Sequence, residues 1–366
     1  MFIHFNKKKP IAFAEIEQLD LSQYTDYEQN TLRFCRDWLS GKEIYTLHTS
    51  GSTGQPKAWQ ISRKAMQASV SMTAQYVGLK PQQKAFVCLN TAYIAGTMML
   101  VRCLEVGMEM YVVPPSSNPL ADFDADFRFD FAALVPLQVR AMLTDAHARN
   151  ILQQSHANIL VGGTAIDQAL ESELVAMTSP RWLHTYGMTE TVSHIALRRL
   201  NGTQASQMFE ALPNVILRLG ERSCLCISAP TTDYKELITN DIVELSADGK
   251  HFVWLGRADN IINSGGVKVQ AEKVEKALQQ TLQTLQLSCE CFVVGLPHAI
   301  LGECVTAFLE LSPALSQPQI MALKTALGLS LSVYEMPKEF VFVPVFQRTA
   351  TDKVARQDTV KKYLGQ

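Results

Sequence analysis

Short apolar runs alternate with stretches of helical period along the first half of the chain. Ile44–His48, Ala85–Leu89, Glu109–Val113, Phe131–Val135 and Asn158–Val161 read as strands. Arg63–Tyr76, Gly96–Glu105, Leu137–His147 and Asp167–Met177 read as helices. Strand–helix alternation predicts an α/β layered unit with largely parallel pairing. After Thr185 the period shortens. Ile195–Leu200, Val215–Leu219, Leu225–Ala229, Ile242–Leu245 and His251–Leu255 read as short strands, with Asp248-Gly249 as a hairpin turn. This predicts a small β-rich subdomain. From Ala271 a helix runs to about Leu287, followed by strands Cys291–Val294 and Val305–Leu309, helix Gln319–Leu327, strand Glu339–Val343 and a last helix near Gln357–Tyr363. That pattern predicts a compact α+β unit. The expected division falls at Gly256-Arg257, giving units 1–256 and 257–366.

Composition narrows the class. At one domain per ~150 residues, the 366 residues predict two domains. Hydrophobic residues are 47% and charged residues 19%, which excludes a disordered chain. The net charge of −2 carries no basic excess, so no nucleic-acid or membrane-surface partner is expected. The apolar stretch after MFIHFNKKKP is too short for a signal-peptide core. Tyr93–Val113 is the most membrane-like stretch, but Arg102, Glu105 and Glu109 interrupt it. A cytoplasmic protein with no membrane span is expected; whether it forms a homo-oligomer stays open. The eight cysteines are expected to be reduced thiols. Cys224 with Cys226 and Cys289 with Cys291 form two C-x-C pairs, read as strand residues sharing a face rather than as zinc ligands.

The densest chemical signal is Thr49-Ser50-Gly51-Ser52-Thr53-Gly54-Gln55-Pro56-Lys57, between a predicted strand and a predicted helix. Small residues let backbone N–H groups approach phosphate oxygens, hydroxyls add donors, and Lys57 adds charge. It is not a Walker A loop, because Pro56 precedes Lys57 and Ala58 follows it.

The segment resembles the phosphate loop of the acyl-adenylate-forming superfamily, and further matches follow in order. Tyr186-Gly187-Met188-Thr189-Glu190 matches Y-G-x-T-E, and Asn240-Asp241 stands at the family's Gly-Asp. Gly256-Arg257-Ala258-Asp259 matches G-R-x-D. Ser264-Gly265-Gly266-Val267-Lys268 with Glu272 and Glu275, then Val294-Gly295-Leu296-Pro297 with Gly302-Glu303, match the next two. Tyr334, Pro337-Lys338, Arg348-Thr349, Lys353 and Arg356 match the last.

The resemblance implies roles, residue by residue. Thr49, Ser50, Gly51, Ser52, Thr53, Gly54 and Lys57 would hold the ATP phosphates. Gly162-Gly163-Thr164 and Tyr186 would bind adenine, and Gly187 is implied among the ATP-binding residues. Thr189 would meet the α-phosphate, Glu190 would hold Mg²⁺, Asp241 would accept the ribose hydroxyls, and Arg257 would approach ribose and phosphate. Lys353 would bridge the substrate carboxylate and the α-phosphate. The small C-terminal unit would turn about Asp259, bringing Gly265 and Gly266 to the coenzyme A tunnel. The activity implied is acid–thiol ligation through an acyl adenylate, using ATP, Mg²⁺ and coenzyme A on a small carboxylic acid.

Gln347 and Asp352 depart from the family's usual Pro and Gly. The phosphate loop begins at residue 49, which implies a shortened N-terminal portion. With this short format, Asn90–Met99 and Thr191–Arg198 resemble the compact bacterial o-succinylbenzoate–CoA ligases of menaquinone synthesis. That acid has a second carboxylate, for which Arg102 and His194 are the candidates. His48 is read as structural. The rival readings are a ligase for another aryl or acyl acid, a stand-alone adenylation protein loading a carrier thiol, and a catalytically silent nucleotide-binding protein.

Overall fold

The computed structural model describes residues 1–5, 8–48, 58–287, 289–349 and 354–365. In chain order the first elements are β1 (Phe2–Phe5), β2 (Ile11–Ala12), α1 (Asp26–Leu39), β3 (Ile44–His48), β4 (Ala58–Ser62) and α2 (Arg63–Val77). Next come β5 (Lys84–Val87), α3 (Ile94–Val106), β6 (Glu109–Val112), β7 (Phe131–Leu134), α4 (Pro136–Thr144), α5 (Ala146–Ser155), β8 (Asn158–Val161) and α6 (Gln168–Ala176). β9 (Arg181–Gly187), β10 (His194–Arg199), β11 (Phe209–Ala211), β12 (Ile216–Leu219), β13 (Cys224–Ser228), β14 (Leu237–Leu245) and β15 (His251–Arg257) then form a strand-rich stretch.

Among the described residues, thirteen strands make one sheet, ordered β12-β13-β14-β15-β11-β10-β9-β8-β7-β5-β6-β1-β2. From β1 through β6, β5, β7 and β8 to β9 the pairs are parallel. From β9 onward towards β12 they are antiparallel. The parallel half is buried on both faces, as such sheets are. Ala85 and Val87 of β5 point into the core that α1, α2 and α3 cover. Phe86 between them points into the opposite core, under α4, α5 and α6. The β-rich stretch expected as a subdomain is thus an antiparallel extension of the same sheet, with its own cluster around Phe209, Leu225 and Phe252.

The remainder forms a second sheet. Its elements are β16 (Ile261–Ser264), β17 (Val267–Gln270), α7 (Ala271–Thr284), β18 (Cys291–His298), β19 (Gly302–Glu310), α8 (Gln317–Leu327), β20 (Glu339–Val343) and α9 (Arg356–Leu364). The order is β17-β16-β19-β18, with β20 parallel to β19. α7 and α8 cover one face, and Phe292, Phe308 and Phe346 pack on the other. The architecture is α/β: a large layered part followed by a small α+β part with its own core.

The helix expected over Leu137–His147 is two helices. Asp145 ends α4 and caps α5, its Oδ1 accepting the Ala148 N–H at 2.8 Å. No helix among the described residues is long and apolar enough to cross a membrane. Cys224 and Cys226 are buried in β13, and no cluster of His, Cys, Asp and Glu suited to a metal occurs among the described residues.

Candidate active site

In a parallel sheet, ligands sit outside the carboxyl ends of the strands. Here β8 ends in Gly162-Gly163-Thr164, and β9 ends in Tyr186-Gly187 before Thr189 and Glu190. β9 is also where the sheet changes from parallel to antiparallel pairing. The two motifs are therefore neighbours at the carboxyl ends of adjacent strands in the middle of the sheet.

Both motifs depend on glycine. A Cβ on Gly162 would lie 1.9 Å from Thr185 Oγ1, and Gly163 has φ +87°. A Cβ on Gly187 would lie 2.4 Å from the His194 Cα. Gly187 thus lets β9 close against β10, and the chain beyond it turns through a 3₁₀ segment, Thr189–Thr191. Glu190 is exposed there, and among the described residues no cation lies within ion-pair distance of it.

Tyr186 stands against an aromatic wall. Its ring is edge-on to Phe252 with centroids 5.0 Å apart. Its hydroxyl donates to Asp241 Oδ2 at 2.7 Å. Burial, then the Asp241 charge, pushes the Tyr186 phenol far above its usual range. The indole N–H of Trp254 donates to Asp241 Oδ1 at 3.1 Å. Arg257 Nη1 is 3.9 Å from that oxygen, while its Nε and Nη2 donate to the two oxygens of Asp259 at 2.9 and 2.7 Å. This fork holds the Asp259 carboxyl below its usual value and raises the Arg257 guanidinium.

A second polar group lies behind Glu190. Val192 adopts φ +67° and ψ −45°, with Ser193 N–H donating to Thr191 O at 2.8 Å. That is a γ-turn with positive φ, a strained state for a β-branched residue. It delivers Ser193 Oγ between Arg102 and His194. Arg102 Nη2 donates to Ser193 Oγ at 2.8 Å, and Ser193 Oγ is 3.3 Å from His194 Nδ1. His194 Nε2 is 3.0 Å from Thr73 Oγ1, which donates to Ser69 O at 3.0 Å.

The donors fix the polarity of this chain. Thr73 spends its proton on Ser69 O, so it accepts from His194 Nε2–H. His194 Nδ1 then accepts from Ser193, and the imidazole is neutral. Burial, then the Arg102 charge, drives the His194 pKa well below 6.5. Arg102 is 2% exposed, so it is not a helix-surface charge. Its Nε has no hydrogen-bond partner, and no carboxylate among the described residues pairs with it. Burial pushes it down to about 10.

Beside Tyr186, on β9 and β10, Arg198 makes a fork to Glu171 of α6, with both bonds at 2.9 Å. It also meets His184 Nδ1 at 3.3 Å, and burial pushes His184 to about 4. In the second part, Gly265 and Gly266 form the two-residue turn of the β16–β17 hairpin, with φ +59° and +81°. Thr49, Ser50, Gly51, Ser52, Thr53, Gly54, Lys57 and Lys353 lie outside the described residues.

The structure brings Gly162, Gly163, Thr164, Tyr186, Gly187, Thr189, Glu190, Asp241 and Arg257 together around the carboxyl ends of β8 and β9, and joins Arg102 to His194. Sequence reasoning passed over Trp254 and Thr73. It also gave no role to Ser193, although that residue stands beside His194 in a segment singled out for its resemblance.

A family model described as AMP-binding enzyme matches residues 11–219. A Mycobacterium tuberculosis protein named "Probable 2-succinylbenzoate–CoA ligase" is 29% identical, over 87% of this chain and 84% of its own. A solved structure from Dyadobacter fermentans, described as an acyl-CoA synthetase (AMP-forming)/AMP-acid ligase II-like protein, is 35% identical with a TM-score of 0.64, covering 96% of this chain and 98% of that one. The Bacillus subtilis o-succinylbenzoate coenzyme A synthetase, solved with ATP and magnesium, shares the fold at 19% identity and a TM-score of 0.70, over 86% of this chain and 69% of that one.

Proposed function

The chain belongs to the AMP-binding enzyme family, and from that premise we propose that it joins o-succinylbenzoate to coenzyme A through an acyl adenylate. The family and its named relatives make it an AMP-forming acid–CoA ligase; the identity of the acid is the proposal. One observation supports it above the others. Arg102 is a buried guanidinium with no carboxylate partner among the described residues, three bonded groups from Thr73 and next to the turn that carries Glu190. An uncompensated buried cation is costly unless an anion joins it. A dicarboxylic acid presents one carboxylate to the α-phosphorus and the other to Arg102. His194 acts through Ser193, since both its ring nitrogens are engaged.

In this reading the Thr49–Lys57 loop holds the β- and γ-phosphates, Tyr186 and Gly162-Gly163 flank adenine, and Asp241 and Arg257 face the ribose. Glu190 suits Mg²⁺: it is an exposed hard-oxygen ligand with no competing cation among the described residues, and one carboxylate plus phosphate oxygens and water is the usual set. The bound ion would neutralise phosphate charge. The substrate carboxylate oxygen bonds to the α-phosphorus as the bond to pyrophosphate breaks, and Lys353 offsets the charge that develops. The sulfur of coenzyme A then bonds to the acyl carbon, and AMP leaves with the bonding pair. Residues 257–366 turn about Asp259 between the steps, bringing the Gly265-Gly266 hairpin to the site.

The test is ATP- and coenzyme-A-dependent consumption of o-succinylbenzoate beside benzoate and a fatty acid, with a carrier protein as an alternative acceptor. Preference for o-succinylbenzoate and coenzyme A supports the assignment. Reaction of the other two acids alone overturns it.

A further inference from the structure

Asp241 and Trp254 lie on strands whose register decides which side chains meet. β14 and β15 pair Asp241 with Arg257 and Ile242 with Gly256. The next pair is Val243 with Trp254, so Leu255 has no partner across the ladder. Leu255 is a β-bulge, and Gly256 beside it has φ +146°. Beyond the bulge the faces are exchanged. On the turn side of the bulge the ladder is regular, with Leu245 opposite Phe252 and Val243 opposite Trp254; on the other side the bulge sets Arg257 opposite Asp241. With the bulge, Trp254 and Phe252 share the face of Asp241, Val243 and Leu245.

The result is a carboxylate whose two oxygens are each held by an aromatic donor. Trp254 Nε1–H reaches Oδ1 at 3.1 Å, and the Tyr186 hydroxyl reaches Oδ2 at 2.7 Å. Asp241 is 7% exposed, whereas Trp254 is 36% exposed. The carboxylate has left water, so these donors replace hydration and fix its plane. The guanidinium nearest to it, Arg257, is 3.9 Å away and forked onto Asp259. Each carboxylate oxygen keeps a further acceptor site, so both remain able to take a hydroxyl.

We propose that Trp254, set opposite Val243 on the face of Asp241, is a positioning residue for recognition of the nucleotide's ribose: its indole N–H orients Asp241 so that the free acceptor sites of the carboxylate meet the ribose hydroxyls. The proposal rests on the reading of this part of the sheet as an adenine-nucleotide site. It predicts that losing the N–H costs affinity only where a ribose hydroxyl is present.

The experiment is calorimetric binding of AMP, 2′-deoxy-AMP and 3′-deoxy-AMP to the full chain and to Trp254→Phe. The same titrations are run with benzothienylalanine at position 254, which keeps the bicyclic ring and lacks the N–H. The wild type should prefer AMP to the deoxy nucleotides. Both variants should lose about tenfold in AMP affinity, the scale of one hydrogen bond to a charged group, and the preference for the hydroxyls should shrink by the same factor. An equal loss for all three nucleotides, or no loss, overturns the inference and leaves the nucleotide site standing. A wild type that binds none of the three overturns both.

Discussion

Replacing Arg102 by methionine separates a substrate-binding cation from a structural one. Methionine keeps an unbranched stem of similar reach and removes the charge. Burial pulls the guanidinium down to about 10, and at about 1.4 kcal/mol per decade this is a loss of ~3 kcal/mol in the charged form. A carboxylate drawn against it would recover about that much. Losing the cation should therefore cost o-succinylbenzoate roughly a hundredfold in kcat/KM, carried mainly by KM. Without substrate the sign is opposite. The variant removes a buried charge that no carboxylate among the described residues compensates, and Ser193 keeps His194 Nδ1 as its partner. Stability to urea should then hold or rise. The assay is pyrophosphate release with o-succinylbenzoate and with benzoate, beside urea unfolding. Benzoate lacks the second carboxylate, so its kcat/KM should change little. An equal fall for both acids, an unchanged KM, or a clear loss of stability would show that Arg102 does not hold the second carboxylate.

Other perturbations read other parts of the same site. Gly162→Ala places a methyl 1.9 Å from Thr185 Oγ1, and should cost ~1–3 kcal/mol in thermal unfolding; adding Thr185→Ala should recover most of it. His194 and His184 are held neutral, with folded pKa values below 6.5. Below that pH the unfolded chain takes up protons these sites refuse. Their contribution is thus full above pH 6.5 and falls with acid by about 1.4 kcal/mol per pH unit for each, down to about 4 for His184. Urea midpoints between about pH 7 and 5 should show this slope, and His194→Gln should roughly halve it. Lys353→Ala should lower pyrophosphate release by about a hundredfold or more, while transfer to coenzyme A from supplied acyl adenylate persists; loss of both halves would remove the division of labour assigned to it.

Much of the layering was legible because parallel strands buried on both faces are short unbroken apolar runs. β8 is the clearest case, since Asn158–Val161 is bounded by a polar residue and by Gly162. α1 was not read, although Thr25 and Glu28 spell a capping box and form one. Its first turn is polar, and its inward residues Leu32, Cys35 and Trp38 are spread among charges. β9 was missed for a different reason: Arg181–Gly187 mixes buried and half-buried residues as the sheet changes its pairing, so neither strand pattern applies. The split of α4 from α5 depends on Asp145, whose carboxylate caps the helix that follows it by accepting from Ala148 N–H.

At the site, residues on glycine-rich turns were legible because the chemistry fixes their type, whereas the buried network was not. α3 is apolar on nearly every side, and such a helix is a buried one. By that logic Arg102 is buried too, and a lone arginine in a buried helix already asks for an anion. Trp254 carries no comparable signal. A period of two along His251–Leu255 rightly groups it with Phe252, but the carboxylate it meets is fixed only by the pairing of β15 with β14. Val192 makes the same point in a single residue. Nothing in a valine announces positive φ, yet that turn sets Ser193 between Arg102 and His194. The positions sequence reading misses here are those that a partner strand or an irregular turn places: the β14–β15 register sets Trp254 against Asp241, and the Val192 turn sets Ser193 against Arg102.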